Sequence, residues 1–421
     1  MESIYIHGGI ALQGQVREQG SKNAVLPVMA ATLLTEGTST IGNCPRLKDV
    51  YHMQTLLESL GCVTARDKEM LKVHAANVST LRARDGMPED AVRGMRSSII
   101  LLGALLGRLG EVRVEYPGGC VIGERPIDIH IEALKKLNVH FEEKSYGFYA
   151  YSEELRGTEV SLPVPSVGAT ENLILAAVRA KGTTVIRGAA REPEITALCE
   201  FLSLCGADIA GTGSATLIIQ GVERLTGADY AIAGDRIVAG TYLCACMAAG
   251  GEVLLKEAPV LQMRETLAAA IRMGAVCQET EEGLYVQMEE RPKALKRLAT
   301  APYPGFPTDM QSPFLPVLSL AEGECDVEEN IFENRFHIVP YLQDMGADIT
   351  QTDARHIHLR GIEELTGRRV LAKELRGGAA LTVAGVAAKG VTVVDGCKFI
   401  ERGYENICRD LRELGVRIYG V

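Results

Sequence analysis

Two hydrophobic patterns recur along this chain with one period. The first is a leucine-rich helix end, Leu-x-x-Leu/Met-Gly, followed by a small residue and a run suited to a β-strand. It closes at Gly61, Gly206, Gly274, Gly346 and Gly415, and a further copy closes at Asn138. Glycine and asparagine are the residues that most readily take the left-handed conformation ending a helix. The second pattern is an alanine- or leucine-rich stretch ending at Gly37, Gly110, Gly182, Gly251, Gly323 and Gly390, again followed by strand-like residues. Successive spacings are 77, 68, 68, 72 and 69 for the first marker and 73, 72, 69, 72 and 67 for the second. Two independent markers with a shared period predict six repeats, each reading helix–Gly–strand–loop–helix–Gly–strand. Alternation in segments such as Val112-Arg-Val-Glu and Leu217-Ile-Ile-Gln supports the strands.

Six repeats divide naturally into two domains of three. The expected boundaries are residues 22–230 for the first domain and 1–21 plus 231–421 for the second. Residues 1–21 would then be an extra pair of strands, completing the second domain after two chain crossings. The loop between the marked strand and the second helix holds an arginine in every repeat: Arg46, Arg125, Arg191, Arg264, Arg335 and Arg402. Each could be a plain surface arginine. Equivalent guanidinium groups on one face would instead suit a small substrate with phosphate or carboxylate groups.

Composition narrows the function classes. The chain has 421 residues, 47% hydrophobic and 23% charged, with a net charge of −10. That balance disfavours nucleic-acid binding by bulk positive charge. Ile99–Leu109 is apolar but shorter than the ~20 residues a membrane span requires. The first residues lack the basic start and apolar run of a signal peptide. Eleven cysteines without CxxC pairs read as reduced thiols in a cytoplasmic protein. No dinucleotide fingerprint, nucleophile elbow or zinc motif is present, and His356-x-His358 is the best histidine spacing, so neither metal nor cofactor is expected.

Several loops stand out by local chemistry. Pro117-Gly-Gly-Cys120-Val-Ile-Gly-Glu-Arg125-Pro126 would leave Cys120 reachable by solvent, with Arg125 close enough to favour its thiolate. Cys62, Cys244 and Cys277 sit among apolar residues and read as buried hydrophobes. Lys22 and Asn23 open an apolar helix, where a lysine opposes the helix dipole unless an anion binds nearby. The alternative is a solvated lysine. Asp309 follows prolines 302, 304 and 307 and opens the next segment, either as an N-cap or as a carboxylate able to take a hydroxyl proton. Ser166-Val167-Gly168 opens another helix, whose backbone N–H groups either hold a diphosphate or are merely capped. Arg96 in Met-Arg-Ser-Ser has the same two readings.

Together these segments resemble the enolpyruvyl transferase family, nearly end to end. The likeness rests on Ser-Lys22-Asn23-Ala-x-Leu-Pro, Met-Arg96-Ser-Ser, Pro-Gly-Gly-Cys120-x-Ile-Gly-x-Arg125-Pro126-Ile127-Asp128-Ile129-His130, Ser166-Val167-Gly168-Ala-Thr, Ala-Arg191-Glu-Pro-Glu, Asp235-Arg236, Phe-Pro-Thr-Asp309-Met-Gln, Phe-Glu-Asn-Arg335-Phe and Arg402-Gly-Tyr-Glu. The cysteine loop points to the branch whose acceptor is a sugar nucleotide. The resemblance implies a two-domain inside-out α/β barrel of six βαβαββ-like units, three per domain, with the active site in the cleft between them. It implies transfer of the enolpyruvyl group of phosphoenolpyruvate to the 3′-hydroxyl of UDP-N-acetylglucosamine, the first committed step of peptidoglycan synthesis. The route would be addition and elimination through a tetrahedral ketal, in a cytoplasmic monomer, without a cofactor.

The family's roles carry over by position. Lys22, Arg96, Arg125 and Arg402 would bind phosphoenolpyruvate, Cys120 would be the general acid and Asp309 would take the hydroxyl proton. Asn23, Arg96, Arg125, Pro126, Ile127, Asp128, Ile129, Ser166, Val167, Gly168, Asp309 and Ile331 would contact the sugar nucleotide. Arg236, Glu374 and Arg376 would support the site. The chain departs from the family at Glu374-Leu-Arg376, where Asp-Leu-Arg is common, and at Val164-Pro165, where some members carry a lysine. Two alternatives stay open: a paralogue for another acceptor, and a silent sugar-nucleotide binding protein. Cys120→Ser is expected to keep the fold, lose at least about a hundredfold in turnover and escape alkylation by the epoxide fosfomycin. Mass spectrometry checks this, and alkylation of the variant at the wild-type rate would refute the assignment.

Overall fold

Both sets of markers are backbone stops. Gly61, Asn138, Gly206, Gly274, Gly346 and Gly415 all have positive φ, as do Gly37, Gly110, Gly182, Gly251, Gly323 and Gly390. Asn138, the exception in the pattern, takes φ 68° without needing glycine. The computed structural model describes residues 2–115 and 127–421.

The third repeat shows the plan. Strand Glu159–Ser161 leads to helix Val167–Ala177, strand Thr183–Arg187, helix Pro193–Leu204 and the hairpin Asp208–Ala210 with Thr216–Gln220. Thr183–Arg187 lies between its two neighbours, parallel to the first strand and antiparallel to the hairpin. This βαβαββ order was the expected one. Four further sheets have the same four-strand arrangement, and the sheet of the second repeat has three strands among the described residues.

The repeats interlock at three places. Strand Leu12–Arg17 precedes the first repeat's helix but pairs in parallel with Gly251–Lys256 of the fourth. Conversely, Asp229–Ala231 precedes the fourth repeat's helix but pairs with Thr38–Gly42 of the first. Strand Ser3–His7 fills the gap between Val391–Asp395 and Arg417–Gly420 in the last sheet. The chain accordingly forms two compact units. One lies between Gly20 and Ala233, and the other joins the segment up to Gln19 with Gly234–Val421.

Within each unit the helices lie inward and the sheets outward. Helices Arg236–Ala249, Thr308–Leu320 and Leu375–Ala387 pack against one another and are buried on nearly every side. Such helices carry no polar stripe, because no face meets water. The second helix of a repeat is amphipathic instead: Lys48–Ser59 buries Val50, Met53, Leu56 and Leu57 at helical spacing. Strands alternate, so Thr184 and Ile186 point inward while Arg187 pairs with Glu159 outside. In the first unit, helix Leu101–Leu109 approaches Val167–Ala177 so closely that a Cβ on Gly103 would lie 2.3 Å from the Asn172 carbonyl oxygen. The Gly103 N–H donates to Asn172 Oδ1 at 2.6 Å.

One buried group works against this packing. Glu18, 2% exposed, has no hydrogen-bond partner on either oxygen among the described residues. Burial and the neighbouring Asp410 and Asp235 carboxylates push its pKa well above the ordinary carboxylate value. Asp410 is committed elsewhere, accepting from the Tyr242 hydroxyl at 2.7 Å and from Arg409 Nε at 2.9 Å. An acid whose folded-state value is raised loses stability as pH rises above its unfolded value. Glu18→Gln is therefore expected to raise unfolding free energy, with a larger gain at pH 8 than at pH 5. Denaturant titration at the two pH values checks it, and a pH-independent difference would count against a buried neutral carboxyl.

Candidate active site

Asp309 is placed by the proline-rich approach to helix Thr308–Leu320. Pro307 occupies the N-cap position and makes no side-chain cap, so Asp309 sits inside the first turn rather than capping it. Its carboxylate is shared by two arginines: Arg335 Nη2 lies 2.7 Å from Oδ1, and Arg376 Nη2 lies 2.9 Å from Oδ2. The arginine side chains are 1% and 4% exposed and that of Asp309 is 24% exposed.

Each arginine is delivered by a buried carboxylate. Glu329, fully buried, accepts from the Thr300 and Thr308 hydroxyls at 3.0 Å and from the backbone N–H groups of Ile331 and Phe332. That bends the loop after strand Glu324–Glu328, so Phe332 lies under the Arg335 guanidinium, 5.1 Å from its ring centroid. Glu374 caps helix Leu375–Ala387, accepting from the N–H groups of Arg376 and Gly377. This cap sets where Arg376 leaves the helix.

Burial would push the Asp309 carboxyl up, but the charges of Arg376 and Arg335 override it and hold it well below the usual range. The Arg376 guanidinium is correspondingly raised. Asp309 is thus an ionised carboxylate of weak basicity, and Tyr404 and the Asp235 carboxylate also lie within electrostatic reach of Arg376. Arg335 Nε and Nη1 and Arg376 Nη1 have no hydrogen-bond partner among the described residues. Buried N–H donors left over from one carboxylate fit a second anion.

Arg236 and Arg402 belong to the same compact unit. Arg236 begins its helix behind the Asp235 cap, with its guanidinium 5.8 Å from the Tyr303 ring centroid. Arg402 ends a short turn, Ile400–Arg402, and is half-buried. Ile331 is half-buried in the loop shaped by Glu329.

The other unit holds a second set. Lys22 Nζ lies 2.9 Å from Asp49 Oδ2, with side-chain exposures of 12% and 1%. The solvated-lysine reading fails, and the buried Asp49 supplies the counter-charge that the dipole argument gave to a ligand. Asn23 is half-buried beside it, behind the Ser21 cap. Arg96, half-buried, begins the turn Arg96–Ile100. Burial, with the Arg96 charge, lowers the His130 imidazole to about 4, against an opposing effect of Asp128. His130 is thus neutral at pH 7. Asn172 Nδ2, which also donates to the Ile99 carbonyl, lies 2.9 Å from His130 Nδ1, which as the acceptor leaves the proton on Nε2. Nε2 lies 3.2 Å from where a Cβ on Gly168 would stand.

Ser166 does cap helix Val167–Ala177, accepting from Ala169 N–H at 3.4 Å, while Val167 and Gly168 open the first turn. Ile127 is the N-cap of helix Asp128–Lys136. A cavity of about 220 Å³ beside it is lined by Asp128, Ile129, Glu132, Lys136, Glu159 and Pro163, among others.

Cys120, Arg125 and Pro126 lie outside the described residues. Among the ten described cysteines, nine are buried and Cys277 is half-buried. Burial pushes Cys62, Cys205, Cys246 and Cys325 up to about 12 and Cys277 up to about 11, so these are poor nucleophiles. No metal-holding group of three or more His, Cys, Asp or Glu side chains and no helix long and apolar enough to cross a membrane occurs among the described residues.

The repeated arginines do not behave alike. Arg46, Arg191 and Arg264 are exposed, Arg402 is half-buried and Arg335 is buried on Asp309. Sequence reasoning counted Arg335 but did not select it, and it missed Asp49, Glu329 and His130 as site-forming residues. The Phe-Glu-Asn-Arg335-Phe motif was the available signal for the first; Asp49 and Glu329 carry none.

Comparisons with known proteins follow this geometry. Residues 6–411 match the family described as EPSP synthase (3-phosphoshikimate 1-carboxyvinyltransferase). The chain is 45% identical over 419 residues, 99% of each chain, to UDP-N-acetylglucosamine 1-carboxyvinyltransferase 2 of Caldanaerobacter subterraneus. It is 42% identical over 418 residues, again 99% of each, to UDP-N-acetylglucosamine 1-carboxyvinyltransferase of Nitratidesulfovibrio vulgaris. The crystal structure of the enolpyruvyl transferase NikO from Streptomyces tendae superposes with a TM-score of 0.88 at 23% identity, covering 99% of this chain and 98% of that one, a likeness of fold.

Arg335→Met leaves Asp309 with Arg376 alone. Removing one partner from a buried ion pair costs about 3–5 kcal/mol when the remaining charge is stranded, and about 2 kcal/mol is expected here because Arg376 stays. Adding Asp309→Asn should cost less than the sum of the two single changes, since they remove one interaction. Additive losses in chemical unfolding would show that Arg335 acts through packing instead.

Proposed function

The chain belongs to the EPSP synthase family, and on that premise we propose that it transfers the enolpyruvyl group of phosphoenolpyruvate to the 3′-hydroxyl of UDP-N-acetylglucosamine, releasing phosphate. The observation that carries the reading is identity of 41–45% over essentially the whole chain to relatives bearing that activity in their names. The expected place of the reaction is the first committed step of peptidoglycan synthesis, in the cytoplasm, by a monomer.

The reaction adds the acceptor oxygen to C2 of the enol phosphate, its proton passing to a base, and a proton to C3, giving a tetrahedral ketal. Elimination then returns a proton from C3 and breaks the C2–O bond to phosphate. The chemistry requires fixed cations for a carboxylate and a phosphate, an acid over C3 and a base at the hydroxyl. We assign the cations to Lys22, Arg96, Arg125 and Arg402 and the acid to Cys120. Asp309 is the base.

The geometry around Asp309 supports a conditional base. Between two guanidinium groups it is too weak to deprotonate a sugar hydroxyl. The unpartnered N–H groups of Arg335 and Arg376 face a task that one carboxylate does not exhaust. A substrate anion drawing on them weakens their hold on Asp309 and raises its basicity when the acceptor is to be deprotonated. Lys22 begins similarly occupied by Asp49. For the sugar nucleotide, the first turn at Val167 and Gly168 offers N–H groups to the diphosphate. The cavity flanked by Asp128 and Ile129 suits the nucleoside.

Phosphate release from phosphoenolpyruvate should require UDP-N-acetylglucosamine and should not occur with shikimate 3-phosphate, the acceptor in the family description. Fosfomycin should abolish it. Release with shikimate 3-phosphate alone would move the assignment to the sister activity, and release with neither acceptor would leave a silent binder.

A further inference from the structure

Asp309 is held by two arginines on different segments, and those segments touch each other at one further polar contact. His337 follows Arg335 on the loop after strand Glu324–Glu328. Its Nε2 lies 3.6 Å from Glu374 Oε1, the carboxylate that caps the helix carrying Arg376. Its Nδ1 lies 3.1 Å from the Asn334 carbonyl oxygen, which only accepts, so Nδ1 carries a proton. Nε2 has no hydrogen-bond partner among the described residues and is aimed at the carboxylate. In the imidazolium form this is an attraction between opposite charges. With a bare Nε2, a lone pair faces the carboxylate oxygens instead.

The contact is tightly enclosed. A Cβ on Gly377 would stand 2.6 Å from Ile338 Cγ2, 2.7 Å from Glu374 Oε1 and 3.1 Å from His337 Nε2. The His337 and Glu374 side chains are 20% and 10% exposed. A side chain at residue 377 would crowd Ile338, the cap and the imidazole, and at 3.6 Å the His337–Glu374 contact is an ion-pair distance longer than a hydrogen bond.

We propose that His337 is a positioning residue for the transfer reaction: as imidazolium it clamps Glu374, locking the two arginine-bearing segments together and setting the geometry of the Asp309 carboxylate. Glu374 accepts two backbone N–H bonds in the cap, so a pull on its carboxylate moves the start of the helix and the origin of the Arg376 side chain. Arg335, two residues before His337, is moved by the same contact from the other side. The cross-link therefore controls how Asp309 is shared between its arginines and how easily one of them is released to a substrate anion. The inference rests on the proposed function, because its readout is that reaction.

The test is steady-state phosphate release by the full-length protein with phosphoenolpyruvate and UDP-N-acetylglucosamine, for wild type, His337→Gln, His337→Lys, Glu374→Gln and the double variant His337→Gln/Glu374→Gln. His337→Gln should lower kcat about tenfold with both KM values within about twofold, the pattern of a misplaced catalytic group rather than lost binding. His337→Lys, which keeps a positive charge, should recover most of the loss, and the double variant should be no slower than the slower single variant. A His337→Gln kcat within twofold of wild type, failure of lysine to rescue a folded variant, or additive losses in the double variant would each overturn the positioning role. Wild-type protein that released no phosphate would overturn the functional reading and this role with it. Thermal melting of each variant separates loss of fold from loss of turnover.

Discussion

The arrangement depends on one carboxylate held between two buried guanidinium groups. Asp309 stands at the start of an inner helix, and its partners come from a loop and from the start of another inner helix. Two buried cations near each other would repel at large cost without a shared anion. The carboxylate makes that density of positive charge tolerable, and the cations in turn keep the carboxylate ionised. What results is a set of buried N–H donors left over from one carboxylate, and a carboxylate whose basicity those cations hold low. Lys22 and Asp49 repeat the device in the other unit with a single cation.

The fold makes such clusters available. Placing helices inward and sheets outward brings the first turns of helices Thr308–Leu320 and Leu375–Ala387 together at Asp309 and Arg376, where backbone N–H groups and first-turn side chains are concentrated. Buried acceptors then set each segment: Glu329 shapes the Arg335 loop, Glu374 caps the Arg376 helix, and Asn172 links two inner helices while fixing the His130 tautomer. None of these three touches Asp309. They act on where its partners and neighbours begin, so the position of the Asp309 carboxylate is inherited from caps and loop turns.

Much of the fold was legible because its punctuation is local. A helix followed by an immediate strand requires a residue at positive φ, and glycine or asparagine meets that need wherever it arises, so six repeats announced themselves in spacing. The candidate site stood out where a loop has unusual chemistry, as at Lys22, Asp309 and the helix start at Ser166. It was not legible where the same residue type recurs with different fates. Of the six arginines in equivalent loops five are described, and among these the buried loop built on Glu329 turns one, Arg335, onto Asp309.

The sequence by itself determined the repeat length, the order of helices and strands, the absence of local metal motifs and the family to which the chain belongs. These follow from backbone conformation and from short runs of residues, both of which are properties of neighbours along the chain. Only the tertiary structure decided that Lys22 meets Asp49, that Asp309 is shared rather than capping, and that His337 faces Glu374. Each is a pairing between segments far apart in sequence. Its strength comes from burial, which removes the water that would otherwise screen the charges, and burial is a property of the packed molecule.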